Sequence, residues 1–145
     1  MTVGFNHLGQ LGQLGNQMFQ YAITKSVASK LNVPFKIPNH QNVFDDGIGN
    51  RYTILLFDIF KLESLTNFGF VDTQKYVQEG HFHYDEDIFN ISPQEDFSLW
   101  GFFQSEKYFK DIENGIRNDF KFNDKLVSSC QSIIENVDNP IAFHI

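Results

Sequence analysis

The sequence predicts an α/β protein built on a Rossmann-like, mostly parallel, doubly wound sheet. Short apolar segments typical of strands alternate along the chain with longer segments whose apolar residues recur at helical spacing. A glycine-rich turn joins the first apolar segment to the first helical one. The 145 residues, of which 41% are hydrophobic, suit one domain covering residues 1–145 with a core of its own.

The N-terminal third of the chain contains the clearest secondary-structure signals. Strands are predicted at residues 3–5 and 33–37, with a helix at 16–31 between them. Asn16 is the predicted N-cap of this helix, because its side-chain oxygen can accept a free backbone N–H, and Asn32 is the predicted stop. One face of the helix is apolar at a spacing of three and four residues, and consists of Phe19, Ala22, Ile23, Val27 and Leu31.

The middle of the chain is harder to assign. Residues 39–50 are predicted to form a loop, with a turn at Asp45-Asp46-Gly47. Residues 52–60 fit a strand or a helix, and a short strand is predicted to begin at 70–71. Residues 81–91 are dense in aromatic and acidic side chains and are predicted to be mostly irregular.

The C-terminal part is predicted to contain a strand at 97–103, two helices and a final buried strand at 141–145. The first helix is capped by Ser105 and runs to about Arg117, and its inward side chains are Tyr108, Phe109, Ile112 and Ile116. The second helix is capped by Asp124 and ends before Asn139-Pro140, and its predicted core-facing side chains are Leu126, Cys130, Ile133, Ile134 and Val137.

Charge and cysteine content exclude several classes of partner. A net charge of −7 argues against binding to nucleic acid and to an anionic membrane surface, since both require a basic footprint. The single Cys130 cannot form an internal disulfide and is typical of a reducing compartment. No signal peptide and no apolar stretch of membrane-spanning length is visible, so we expect a cytoplasmic location, with peripheral contact to a membrane left open.

The glycine-rich turn has a polar helix start. Gly9, Gly12 and Gly15 are spaced G-x-x-G-x-x-G, which matches neither the dinucleotide-binding motif nor the P-loop. The glycines alone fit a plain strand-to-helix connection as well as a site for a polar or anionic ligand. The amides of Asn16 and Gln17 suit sugar hydroxyls or phosphate oxygens, and the alternative is a helix cap beside a surface amide.

Three segments together resemble one enzyme family. Residues 12–22 read GQLGNQMFQYA, and residues 51–60 fit the pattern Arg-x-(Tyr/Phe)…Leu-x-(Ile/Phe). Residues 100–109 contain Gly-aromatic-aromatic-Gln-Ser-Glu-Lys-Tyr-Phe. In this order and over nearly the whole chain, these segments resemble the α-1,2-fucosyltransferases of glycosyltransferase family eleven.

The resemblance implies the N-terminal, acceptor-side half of a GT-B-like enzyme. Such an enzyme transfers L-fucose from GDP-fucose to the 2-hydroxyl of a galactoside, with no metal and no further cofactor. Two alternatives stay open: a non-catalytic carbohydrate-binding or interaction module derived from the same half-fold, and a different nucleotide-sugar enzyme. The partners implied are therefore GDP-fucose and a galactoside glycan.

The last residues fall inside another motif of that family. Its final strand continues into His-x-Arg-Arg-Gly-Asp, where an arginine is held to bind the donor diphosphate. His144 and Ile145 would supply the first two positions of this motif. We therefore expect an N-terminal fragment that lacks the C-terminal, donor-binding half and is inactive alone.

Residues for binding and catalysis follow from their position after predicted strands. Ligands of parallel sheets bind beyond the carboxyl ends of the strands. The predicted substrate-binding residues are Gly12, Gly15, Asn16, Gln17, Gln104 and His144. Glu106 is the candidate general base, because the attacking hydroxyl must lose its proton, and the alternative is an acid that complements the helix dipole.

Two other features favour structural roles. His81, His83, Asp85 and Asp87 alternate along the chain, but metal sites usually combine distant segments, and the resembled family is metal-independent, so no metal site is predicted. Trp100, beside a glycine, fits either the core or a platform for a sugar ring.

Overall fold

The computed structural model of the protein describes residues 1–41, 43–45, 48–49, 51–91, 94–138 and 141. Six short strands lie within them: β1 Val3–Gly4, β2 Phe35–Lys36, β3 Phe44–Asp45, β4 Arg51–Tyr52, β5 Tyr76–Gln78 and β6 Phe97–Trp100. Four form a sheet in the order β2-β1-β6-β5, and all neighbours in it are parallel. The α/β prediction with a parallel sheet is therefore confirmed, and the arrangement is compatible with a Rossmann-like fold.

The order of the strands locates the place where a ligand site is expected. From β1 the chain first forms β2 on one side, and it later forms β6 on the other side of β1. The loops that leave the carboxyl ends of β1 and β6 therefore diverge, which opens a crevice between them. These two loops are residues 5–13 and 101–105.

The first helix, α1, spans Leu14–Leu31 and packs against β1 and β2. Its N-cap is Gln13, and no side chain caps it. The prediction that Asn16 is the N-cap is wrong, because the helix begins before it and the side chain of Asn16 bonds to another loop. The predicted stop is confirmed, since Asn32 adopts the left-handed conformation with φ 54°.

The burial of α1 is wider than a single apolar face. Ala22, Ile23 and Val27 are buried as predicted, whereas Phe19 and Leu31 are only partly buried. Four polar residues of the helix are buried as well: Gln17, Gln20, Thr24 and Ser26. Thr24 bonds to the Gln20 carbonyl at 2.7 Å, so a polar group can be buried here with a partner.

The remaining helices are short, and two of them are 3₁₀ helices. The first 3₁₀ helix spans Glu86–Phe89 within a segment predicted to be mostly irregular. The second spans Glu106–Ile112, is capped by Ser105 as predicted and continues as a separate helix. Phe109 breaks the helical geometry with φ −131°, so the predicted single helix is divided. The α-helices after α1 are α2 Leu56–Ile59, α3 Glu113–Asp119 and α4 Asp124–Ile134.

The helix α4 differs from its prediction in both cap and burial. Asn123, and not Asp124, is its N-cap, since the Asn123 side chain accepts the Leu126 N–H at 2.8 Å. None of its residues is buried, and Ile133 and Ile134 are 67% and 54% exposed. The predicted core-facing role of this helix is therefore wrong within the described chain. The predicted break at 139–140 and final strand lie outside the described residues, except Ile141, which is exposed.

Two predictions for the middle of the chain were also wrong. The loop predicted at 39–50 contains the strand β3, which pairs antiparallel with β4 just after it, whereas the predicted turn lies largely outside the described residues. The strand expected at 70–71 does not form, because Val71 bonds through its N–H and its carbonyl to the side chain of Asn6, both at 2.8 Å. The strand in this region is β5. Among the described residues, no helix has the length and apolarity needed to cross a bilayer.

Candidate functional site

The loop after β6 meets the first turn of α1 through a side-chain contact at the crevice between β1 and β6. Gln104 donates from Nε2 to Oδ1 of Asn16 at 2.5 Å, across 88 residues of sequence. Gln104 follows β6, and Asn16 lies in the first turn of α1 behind the glycine-rich loop. Two of the predicted binding residues are therefore brought together where the strand order predicts a ligand site.

Each side chain of the Asn16–Gln104 pair has one polar group that is not bonded to the described part of the protein. Within the described chain, no protein group bonds to Nδ2 of Asn16 or to Oε1 of Gln104. Gln104 is exposed and Asn16 is half-buried. The pair therefore offers a donor and an acceptor to one ligand, which matches a hydroxyl group because a hydroxyl both donates and accepts.

Gly12 makes room for Asn16. Its φ of +96° lies in the region that favours glycine, and a Cβ at this position would come within 1.9 Å of Nδ2 of Asn16. Gly15 has open space around its Cα instead, and it lines a groove described below. Of the two predicted glycines, Gly12 shapes the position of Asn16, and Gly15 leaves a surface open.

Gln17 lies beside the pair, but its side chain is already engaged. It is 1% exposed, its Nε2 donates to the Thr53 carbonyl at 3.0 Å, and its Oε1 accepts the Leu55 N–H at 2.8 Å. These bonds connect α1 to the second family-like segment. The role of Gln17 as a ligand for substrate stays a prediction.

Gln20 was not predicted from the sequence, and it connects the glycine-rich loop to the loop after β6. Its Nε2 donates to the Leu11 carbonyl at 2.9 Å and to the Gly101 carbonyl at 3.2 Å. The side chain is fully buried, and its Oε1 has no hydrogen-bond partner within the described residues. The signal that could have identified Gln20 in the sequence is a polar residue on the inner side of a predicted helix.

Glu79 is a second residue that was missed. It follows β5, and its carboxylate accepts the N–H of Phe102 at 2.7 Å and the N–H of Phe103 at 3.0 Å. Both N–H groups belong to the loop that carries Gln104. Glu79 could not be recognised from the sequence, because the strand before it was not predicted.

Glu106 lies at the edge of a groove. This exposed residue is in the first turn of the 3₁₀ helix Glu106–Ile112, close in sequence to Gln104. The groove has a cavity volume of about 560 Å³ and runs between α1 and α3. Five apolar side chains line it, Met18, Phe19, Phe109, Ile116 and Phe120, together with four charged ones, Glu106, Lys110, Glu113 and Arg117. Glu106 therefore follows Gln104 by two residues and lines the same groove as Gly15.

A second cavity lies near Gly12. Its volume is about 680 Å³, and its lining includes Gly9, Gln17, Arg51 and Thr53. Arg51 belongs to the second family-like segment, so all three such segments reach the glycine-rich loop.

The Asn16–Gln104 contact is uncharged, and charged side chains of both signs line the neighbouring cavities. Glu79 and Glu106 place two carboxylates nearby. Of the two lysines that follow in sequence, Lys107 lies 5.6 Å from the Tyr84 ring centre, whereas Lys110, which bonds to Glu113 at 2.6 Å, lines the same groove as Glu106. The two amides of the contact are themselves suited to the hydroxyls of a sugar, since they can both donate and accept.

Trp100 lies in an aromatic group at the end of β6. Its ring centre is 4.1 Å from that of His7 and 6.3 Å from that of Tyr76. Burial lowers the pKa of His7, which favours the neutral imidazole. Trp100 is half-buried by these contacts, so both interpretations, core residue and sugar platform, remain compatible with its position.

The other predicted residues have simpler outcomes. His144 lies outside the described residues. The rings of His81 and His83 are 5.8 Å apart, and the Asp85 side chain caps the 3₁₀ helix Glu86–Phe89. In the described part of the chain, no group of three His, Cys, Asp or Glu side chains is arranged to hold a metal ion.

Comparisons with models of protein families, with curated proteins and with solved structures gave no significant match. The likeness to the fucosyltransferases therefore depends on the three sequence segments alone.

Proposed function

We propose that these residues form the acceptor-side half of a GT-B-like α-1,2-fucosyltransferase. The complete enzyme would transfer L-fucose from GDP-fucose to the 2-hydroxyl of a galactoside. The observation that carries this proposal is the hydrogen bond between Asn16 and Gln104 at the crevice between β1 and β6. Each residue comes from a different family-like segment, and each has one polar group that no other described residue bonds and that suits a sugar hydroxyl.

The proposed chemistry assigns separate roles to amides and carboxylate. Asn16 and Gln104 orient the galactose ring by bonding to its hydroxyls. Glu106 accepts the proton of the 2-hydroxyl while the oxygen of that hydroxyl attacks the anomeric carbon of fucose. The bond between that carbon and the diphosphate breaks, and GDP leaves with the electron pair.

The donor belongs to the other half of the proposed enzyme. Recognition of a diphosphate favours bidentate cationic donors such as arginine. The Asn16–Gln104 contact consists of neutral amides, and among the described residues a single arginine, Arg51, lines the cavity near Gly12. The 145 residues alone should therefore bind galactosides but lack a tight site for GDP-fucose, and calorimetry with GDP and GDP-fucose measures this. Micromolar donor binding would contradict the assignment to the acceptor side.

The decisive experiment compares the binding of two disaccharides to this chain by NMR titration. Lactose presents a terminal galactose, and cellobiose presents glucose in its place. We expect lactose to bind more tightly, and Asn16→Ala and Gln104→Ala each to weaken its affinity about tenfold, the loss of one good hydrogen bond.

Asn67→Ala is the matched control, because Asn67 is an exposed amide whose side chain, within the described residues, bonds only to its neighbour Thr66. Its lactose affinity should equal that of the wild type. Equal affinity for the two sugars, or equal affinity of the Asn16→Ala variant and the control, would overturn the proposal.

A further inference from the structure

The turn after β6 has an unusual backbone that must be held in place. Gly101 has φ +152° and Phe103 has φ +53°, so a buried aromatic residue adopts the left-handed conformation. Residues with a Cβ rarely adopt this conformation unless surrounding contacts stabilise it. Gln104 follows directly, so the geometry of this turn sets where the Gln104 side chain points.

Glu79 holds the turn from the side of β5. Its own N–H donates to the Trp100 carbonyl at 2.8 Å, which extends the strand pairing and fixes its backbone beside the turn. Its two carboxylate oxygens then accept one N–H each, from Phe102 and from Phe103. The fit is tight, because a Cβ on Gly101 would lie 2.5 Å from Cβ of Glu79.

Gln20 holds the same turn from the side of α1, through the Gly101 carbonyl. The turn is therefore fixed by its N–H groups on one side and by a carbonyl on the other. A bond to a carboxylate is stronger than one between neutral groups, so the Glu79 side of this arrangement is the stronger one.

We propose that Glu79 is a positioning residue of the acceptor site. Its carboxylate fixes the Phe102 and Phe103 amides, and this directs the Gln104 side chain to Asn16. Glu79 thus acts on a ligand through Gln104 and does not contact the reacting atoms. The inference rests on the proposed function for its ligand, but its structural part can be measured without any ligand.

The structural part is tested by NMR of Glu79→Gln. The glutamine has the same shape, but its NH₂ group cannot accept an N–H, so one of the two bonds is lost. We expect the Phe102 and Phe103 amide signals to shift. The Gln104 side-chain NH₂ signals should move toward their positions in Asn16→Ala, where the contact with Asn16 is absent.

Glu95→Gln is the matched control, because Glu95 is an exposed carboxylate that pairs with Lys75. It should leave the Gln104 signals unchanged. Unmoved Gln104 side-chain signals in Glu79→Gln, beside shifted backbone signals, would overturn the positioning role.

The functional part is tested by lactose affinity in a double-mutant cycle. Glu79→Gln alone should weaken binding about fivefold to tenfold. In the Gln104→Ala background the same change should have less than a twofold effect, because the group on which Glu79 acts is gone. Additive losses would mean that Glu79 affects the ligand by another route.

Two further measurements keep the outcome decisive. If Glu79→Gln does not fold, hydrogen exchange in the wild type replaces it: slow exchange at Phe102 and Phe103 supports the carboxylate bonds, and exchange as fast as in an open loop overturns them. If the wild type binds no galactoside, the proposed function fails, while the NMR comparison still decides whether Glu79 positions Gln104.

Discussion

Two polar clusters lie along α1, and they differ in how fully their hydrogen-bonding groups are used. The first is the Asn16–Gln104 pair, which is partly exposed and has one mutual bond. The second surrounds Asp119, which is fully buried at the end of α3. Asp119 accepts hydrogen bonds from Tyr21, Lys25 and Ser64.

The Asp119 cluster has the properties of a structural element. Lys25 bonds to the carboxylate at 2.6 Å and Tyr21 at 2.7 Å, while the Ser64 N–H bonds to its second oxygen at 2.9 Å. Burial alone would raise the pKa of Asp119, but these donors outweigh it and hold the pKa below its ordinary value. Burial is also the main reason why the pKa of Tyr21 is raised, so the phenol stays protonated.

The difference indicates which cluster is available for a ligand. A buried polar network whose members are bonded to one another contributes to stability and has little capacity left for a partner. An exposed pair with an unused donor and acceptor contributes little to stability, since water can replace its bonds. Substitutions in the two clusters should therefore separate stability from binding.

The largest effect is expected for Asp119→Asn. The change leaves the Lys25 ammonium without its counter-ion and turns an amide NH₂ group toward donors. Removing one partner of a buried ion pair costs about 3 kcal/mol when the other partner has some access to water, and the Lys25 side chain is 16% exposed. Urea unfolding measures the loss. Asp111→Asn is the control, because Asp111 is exposed and the change should cost less than about 0.5 kcal/mol.

The same cluster should make stability depend on pH. A carboxylate whose pKa is lowered by folding contributes stability above its unfolded pKa of about 3.9, and this contribution is lost as the pH falls through the folded pKa. The stability difference between the wild type and Asp119→Asn should therefore be constant near neutral pH and shrink below about pH 4. A difference that persists unchanged at pH 2 would show that the charge of Asp119 is not what stabilises the fold.

The two clusters were not equally predictable from the sequence. Asn16 and Gln104 were expected near each other because each follows a strand of a parallel sheet, and such strands end at one edge. Asp119 could not be recognised, because a single acid near the end of a helix resembles a solvated residue until its buried donors are known. Its donors lie 55 to 98 residues away in sequence.

The errors elsewhere have the same origin. The apolar spacing of α4 correctly predicted a helix, but spacing alone cannot say whether another element covers the apolar side. The cap of α1 was misplaced because Asn16, a good capping residue, is instead engaged by Gln104. Glu79 was missed because β5 has only three residues, too few for an alternating pattern to be detected.

A smaller effect is expected for Gly12→Ala, which connects the loop conformation to the exposed pair. Alanine at a positive φ costs about 1 kcal/mol, and the new methyl group also displaces the Asn16 amide. Gly69→Ala has a similar backbone strain, with φ +116°, but no atom within 4 Å of its Cβ position. Both variants should lose similar stability, whereas only Gly12→Ala should weaken lactose binding. Equal lactose affinity of the two variants would show that Gly12 does not influence the binding site.

The smallest effect on stability is expected for Asn16→Ala, although its effect on binding is among the largest. Asn16 is not the cap of α1, so its substitution removes no bond to the helix backbone. The bond that it does lose, to the exposed Gln104, is one that water can replace. The free energy of unfolding should therefore change by less than about 0.5 kcal/mol, while the lactose affinity falls about tenfold. Thermal unfolding and NMR titration of the same sample measure both quantities. A loss of stability of about 1 kcal/mol or more, with unchanged affinity, would make Asn16 a structural residue and remove the contrast between the two clusters.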